Sequence, residues 1–354
     1  MPLRLALIAV AVGLAVIGQA RPGFAQSLTL SLFERYLSAA WEQSGIPGLS
    51  AVVVRGETVM WERAYGSQDI EGAVAATPDT AYLVGEIGQI FGATLLLKKC
   101  IDEGHLELSD TVRRWAPEYP EPATTVRELL SHAAPTGGFR HDSARFAALT
   151  DVIEQCSSTS YARLLGDEIF ARLGMAHSAP GTNLAALATA TPSRPALPPA
   201  TIQHYESVLR TLARPYRVAG NRPARSEVPS TVASAAGGIV TSARDLARFD
   251  AALRAGVLLE PDTLRVAWTQ TQSGGQPLPT GLGWFVQNYD GEPVVWQFGL
   301  HKDAYSSLIL KLPNRDLTLI LLANSDGLSA PFSLGNGDVT ASVYARIFLR
   351  LFVS

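Results

Sequence analysis

The stretch GIPGLSAVVVRGETVMWERAY, residues 45–65, carries the reading that decides the fold. Leu49–Val54 and Val59–Tyr65 are β-rich runs separated by Arg55-Gly56-Glu57, the pattern of a hairpin. Gly45 to Gly48 form a Gly/Pro stop after Leu28–Gln43, where Leu30, Phe33, Leu37, Ala40 and Trp41 recur at helical spacing. Three more β runs lie near the other end of the chain: Pro293–Phe298, Tyr305–Leu312 and Leu317–Ala323, with Pro313–Asp316 turning between the last two. The middle reads as helical over Ile87–Glu103, Thr125–His132, Ala144–Gln155 and Ser160–Leu173, with Gly104 and Gly174 as stops. Ser178–Thr231 has weak periodicity and is expected to be irregular covering structure with a helix near Ile202–Leu212. Helices at Ser242–Ala255 and Val339–Phe352 complete the pattern. Strands at both ends of a helical middle imply an α/β fold of the α+β type: one antiparallel β-sheet flanked by helices, with an all-helical domain inserted. The expected boundaries are 26–80 plus 232–354 for the α/β domain and 81–231 for the helical one.

Composition narrows the function classes. A hydrophobic fraction of 47% over 354 residues supplies a large core. The net charge of −3, without any Lys/Arg run, gives no sign of phosphate-backbone binding, so nucleic acid is not an expected partner. Arg4, the apolar run Leu5–Ile17 and the small residues Gly23 and Ala25 read as an export signal over residues 1–25, which places the protein in the secreted or periplasmic class. The alternative, an uncleaved anchor, meets an apolar run shorter than the ~20 residues of a spanning helix. Export permits a disulfide between Cys100 and Cys156, and two separate buried thiols are equally compatible with the sequence.

Six segments in order resemble the β-lactamase-related serine hydrolases, the family of class C β-lactamases, DD-peptidases and related esterases. They are Gly45–Ser50, Thr77-Pro78-Asp79-Thr80, Leu129-Leu130-Ser131-His132, Ile169–Met175, Gly237-Gly238-Ile239 with Ser242–Ala247, and Gly281-Leu282-Gly283-Trp284. The resemblance implies a β-lactamase/transpeptidase-like fold with a cleft between the two domains, and no cofactor.

At the three catalytic motifs the chain departs from the family. Ser-x-x-Lys, in which the amine activates the hydroxyl one turn away, is matched by Glu86-Ile87-Gly88-Gln89. Lysine occurs only at Lys98, Lys99, Lys302 and Lys311, and none has a serine three residues before it. Tyr-x-Asn is matched by His141-Asp142-Ser143, and Lys/His-Thr/Ser-Gly by Phe298-Gly299-Leu300. The expectation is a catalytically inactive homologue that acts as an extracytoplasmic binding or scaffold protein, with a peptidoglycan-like peptide, an acyl ligand or a protein as partner. The competing expectation is an active hydrolase of the β-lactamase, DD-peptidase or esterase type using a non-standard site.

Several positions admit a functional and a structural role. The Glu86 carboxylate can occupy the backbone N–H groups that would form an oxyanion hole, or be an ordinary first-turn acid. It can also act as a general base on water, with His141 or His301 as the acid. Glu86, His141 and His301 together resemble a two-histidine, one-carboxylate metal set, against the alternative that His141 faces solvent and His301 is a turn residue. His132 is expected to be a hydrogen-bonded structural histidine. Gly88 and Gly92, each costing a helix about 1 kcal/mol, suggest close packing on that helix.

Overall fold

The computed structural model describes residues 22–189, 196–220 and 222–353. Apart from the backbone of its last four residues, the export signal read over 1–25 lies outside the described residues. The hairpin forms as β1 (Gly48–Arg55) and β2 (Thr58–Asp69), turning at Gly56, whose φ of 56° suits a residue without a Cβ. With β3 (Val74–Ala75), β4 (Phe285–Tyr289), β5 (Glu292–His301), β6 (Tyr305–Leu312) and β7 (Leu317–Ala323) it makes one sheet, ordered β4-β5-β6-β7-β1-β2-β3. All neighbours are antiparallel, and β1 joins the C-terminal strands through β7, with Leu49 opposite Ala323. The edge strand β4 and a helix at Pro261–Ala267 were not expected; both are short, and β4 carries the polar pair Gln287-Asn288 just before its last residue.

The sheet is covered on both faces, which is why β6 and β7 are buried along their whole length and read as continuous apolar runs. Leu317, Leu319, Leu321 and Ala323 pack with α1 (Pro22–Ser44) and a C-terminal helix (Val343–Phe352). Phe33 seals that layer by meeting Phe348 and Phe352 edge-on. Ile320 and Leu322, on the opposite face, belong to the core shared with the helical region. No helix among the described residues is long and apolar enough to cross a membrane.

The helix expected over Ile87–Glu103 is divided into a tight turn at Gly85–Ile87, α2 (Gly88–Leu96) and a wider turn at Leu97–Ile101. The two glycines do mark close packing. A Cβ on Gly88 would lie 2.4 Å from Gly237 Cα, and one on Gly92 would lie 2.6 Å from the Ala235 carbonyl oxygen. Cys100, beyond the end of α2, is disulfide-bonded to Cys156 in α3 (Leu149–Ser157), with their Cα atoms 5.9 Å apart. The bridge ties the helix that begins beside Glu86 to the helix whose Thr150 hydroxyl accepts the Ala235 N–H.

A charged pair lies in the core. Lys311 of β6 and Asp250 of α4 (Ala243–Arg254) are both fully buried and in direct contact, and Arg254 donates to the same carboxylate at 3.1 Å. Burial pushes the Lys311 ammonium down to about 7. The Asp316 carboxylate opposes that shift, and the Trp268 and Trp284 rings, 4.9 and 5.6 Å away, add electron-rich faces.

Two outcomes are expected. The bridge closes a loop with a sequence separation of 56, so Cys156→Ser should lower stability by about 4 kcal/mol in the chain-entropy limit, seen as a lower urea midpoint; unchanged midpoints would show that the bridge contributes nothing. Asp250→Asn, which leaves Lys311 buried without its counter-charge, should cost about 3–5 kcal/mol. Adding Lys311→Met should recover part of that loss, and a double variant no better than the single one would refute the pairing.

Candidate functional site

The site begins with a close approach of backbones. Val84–Gly88 runs against the end of β5 so tightly that a Cβ on Gly85 would lie 2.6 Å from Leu300 N, and one on Gly299 would lie 1.9 Å from Val84 O. Gly85 also has a φ of 58°. The approach leaves the half-buried Glu86 side chain beside the strand end, where Glu86 Oε2 accepts the Leu300 N–H at 2.8 Å. Burial raises the Glu86 carboxyl above its ordinary range; the Leu300 N–H, its own N–H and the Ser143 hydroxyl oppose that rise.

Gln89 follows one turn later and is fully buried. Its Oε1 lies 3.0 Å from His132 Nε2 and accepts from Gln297 Nε2 at 3.1 Å, while its Nε2 donates to Ser143 Oγ at 3.3 Å. His132 Nδ1 accepts the Asp142 N–H at 3.1 Å, which puts the ring proton of the neutral imidazole on Nε2, pointing at Gln89. Burial, with His141 and Arg145 nearby, holds His132 well below the ordinary histidine range. His132 is thus the hydrogen-bonded histidine expected of it.

Gln297 was not singled out from the sequence, although one amide inside Val294-Val295-Trp296-Gln297-Phe298 signals a buried polar partner. Strand alternation explains the arrangement. Gln297 faces α2, whereas Trp296 and Phe298 face the other way and join Phe285 in an aromatic cluster.

His141 packs in that cluster instead of facing solvent. Its ring lies 5.5 Å from Phe298, 5.6 Å from Phe285 and 4.6 Å from His132, and burial keeps it below the ordinary histidine range. Phe298 is only 6% exposed, so this part of the cleft is filled. The part at Glu86 is open. There a cavity of about 370 Å3 is lined by Glu86, Ser143, Ser230–Val232, Ser234, Ala236–Gly238, Leu300 and His301. His301 ends β5 as a strand residue rather than a turn residue, and burial pushes its imidazole down too.

The metal set is therefore not assembled: His141 belongs to the aromatic cluster and His301 to the cavity. Among the described residues no group of three His, Cys, Asp or Glu side chains could hold a metal ion.

Comparison with known proteins fits this architecture. The chain is 25% identical over 328 residues to "Protein flp" of Staphylococcus aureus strain MW2, an alignment covering 82% of this chain and 62% of that protein. It thus spans less than two thirds of that relative's length. It is also 21% identical over 321 residues to "Penicillin-binding protein 4*" of Bacillus subtilis, covering 78% of this chain and 68% of that one. Among solved structures, the octameric penicillin-binding protein homologue from Pyrococcus abyssi superposes with a TM-score of 0.72 at 20% identity, over 91% of this chain and 77% of that one. The class C β-lactamase from Rhodobacter sphaeroides gives 0.66 at 18% identity, over 91% and 99%. At these identities the structural likeness concerns the fold, a mixed α/β architecture of the β-lactamase/transpeptidase type. The family model described as Beta-lactamase matches residues 33–339, and the chain belongs to that family.

Proposed function

We propose that this chain is a non-hydrolytic member of the family that works outside the cytoplasm as a binding protein, with a small polar ligand held at the open end of the cleft. One observation carries the reading. The residue aligned with the nucleophile is Glu86, and its carboxylate sits on the Leu300 N–H with further support from its own N–H. A nucleophilic hydroxyl needs an adjacent base and free N–H donors for the developing oxyanion. In this chain the donors already serve a carboxylate, and the residue one turn on is an amide tied to His132, Gln297 and Ser143.

The ring of Phe298 against His141 supports the same reading, because two other motif positions contribute packing where a hydrolase would place acid–base groups. The Cys100–Cys156 bridge accords with an oxidising compartment, and the export signal read in the sequence assigns the same location. The ligand class is a peptidoglycan-like peptide, an acyl group or a protein segment, and the remaining cavity limits it to a small part of any such molecule.

The test is the intact mass of the purified protein after incubation with a penicillin and, separately, with an activated acyl ester. The expected result is no added mass in either case. A stoichiometric adduct would overturn the reading, and its location would identify the nucleophile.

A second outcome follows from the polar network that replaces the catalytic pair. His132 is neutral and buried, so the unfolded chain takes up its proton first as the pH falls. The stability that the network contributes is full above about pH 6.5 and declines as the pH drops from there toward the depressed folded-state value. The raised Glu86 carboxyl works in the opposite sense, gaining stability as the pH falls through its folded-state value. Urea midpoints at pH 7 and pH 5 should fall further for the parent protein than for His132→Asn, and an equal fall in both would show that His132 is not the titrating group.

A further inference from the structure

The open end of the cleft has an unusual charge balance. Among the described residues its lining contains one carboxyl, Glu86, one imidazole, His301, four hydroxyls from Ser143, Ser230, Thr231 and Ser234, and no lysine or arginine. All the groups that support the Glu86 carboxylate are neutral: two backbone N–H groups and the Ser143 hydroxyl. A desolvated carboxylate held only by neutral donors gains most from a cation brought to its remaining lone pairs.

A ligand carboxylate meets the opposite situation. It would be brought close to a like charge in a partly dehydrated cavity, with no cationic side chain among the described lining residues to offset the repulsion. His301 does not supply that cation, because burial keeps its imidazole neutral, and its buried Nε2 has no hydrogen-bond partner among the described residues. A neutral imidazole and hydroxyl oxygens can accept hydrogen bonds. An ammonium has three N–H donors and no acceptor, and so complements this lining.

We propose that the cavity beside Glu86 is a subsite for a primary ammonium group, so that the ligand is a small amine or the amino-bearing end of a larger molecule. The ammonium pairs with the Glu86 oxygen lone pairs left over after the Leu300 N–H is bound, and the neighbouring hydroxyls take the ligand's other polar atoms. An organic cation is favoured over a metal ion, since no three-ligand His/Cys/Asp/Glu group exists here among the described residues. The inference rests on the non-hydrolytic reading above and narrows its ligand class.

The experiment is an amide NMR titration of the 15N-labelled protein in phosphate buffer at pH 7, using ethanolammonium chloride, sodium acetate and ethylene glycol as probes. Ethanolammonium is expected to shift the Leu300, Gly237 and Gly238 amides saturably, with an affinity of about millimolar for so small a probe. Acetate and ethylene glycol should leave those amides in place. Glu86→Gln, which keeps the shape and removes the charge, should weaken the ethanolammonium effect at least ~10-fold, the equivalent of ~1.4 kcal/mol. Its folding is checked by the β7 amides in the same spectra. No saturable shift with ethanolammonium, or an equal response to acetate or ethylene glycol, would overturn the subsite on the parent protein alone, as would an unchanged response in a folded E86Q. The binding is reversible and leaves no mass adduct. A failure here with no acyl adduct therefore removes only the subsite, whereas an acyl adduct removes the non-hydrolytic reading.

Discussion

The contact on which the rest depends is the approach of the Val84–Gly88 backbone to the end of β5. It is closer than any side chain tolerates: Gly85, Gly88, Gly237 and Gly299 each stand where a Cβ would meet another backbone at less than ordinary van der Waals distance. The turn can then present Glu86 directly to a strand N–H, and α2 can start against the sheet rather than a side-chain layer above it. Because the turn enters the helical region while β5 belongs to the sheet, this one junction sets how the two halves of the cleft meet. The disulfide between Cys100 and Cys156 and the Thr150 bond to Ala235 brace the far side of the same junction.

The consequence is a cleft divided by chemistry. At one end, alternation along β5 sends Phe298 into the aromatic cluster with His141 and Phe285, which fills the space there. In the middle, Gln297 turns the other way and completes the hydrogen bonding of Gln89, which His132 and Ser143 share. Every member of that network has partners, and a fully satisfied buried network rigidifies where a partly satisfied one would destabilise. The Glu86 end keeps an open cavity with a polar lining. A neutral, hydrogen-bonded centre with one desolvated carboxyl at its mouth is arranged to hold a ligand, and it lacks the activated nucleophile from which covalent chemistry starts.

Much of this was legible in the sequence, and the legible parts share a cause. The hairpin 49–65, the strands 305–312 and 317–323 and the helix 243–254 stand out because periodicity, turn residues and caps all agree locally, as with Ser242 accepting the Asp245 N–H at the helix start. The glycines of α2 were legible as a packing signal because helix propensity disfavours them. The edge strand β4 and the helix 261–267 were not, since each is too short for a period to show. The site was legible residue by residue but not as an arrangement. Glu86, Gln89 and Ser143 do converge, whereas His141 and His301 part company because side-chain direction along a strand, and packing against Phe285, decide where an imidazole ends up.

Gln297 shows why the arrangement escapes a linear reading. Motif matching directs attention to Phe298-Gly299-Leu300, but a strand offers alternate residues to opposite faces, so the residue before the motif is the one that meets α2. Gln89 partners His132 through its Oε1 and Ser143 through its Nε2, and the Gln297 amide gives that same Oε1 a second donor. The amides at 89 and 297 therefore act as one structural unit, in which neutral groups satisfy each other in the buried centre of the cleft. That coupling also explains why Glu86 is tolerated. With its nearest histidines kept uncharged by burial and no Lys or Arg among the described lining residues, the carboxylate stays on the strand N–H at the edge of the open cavity.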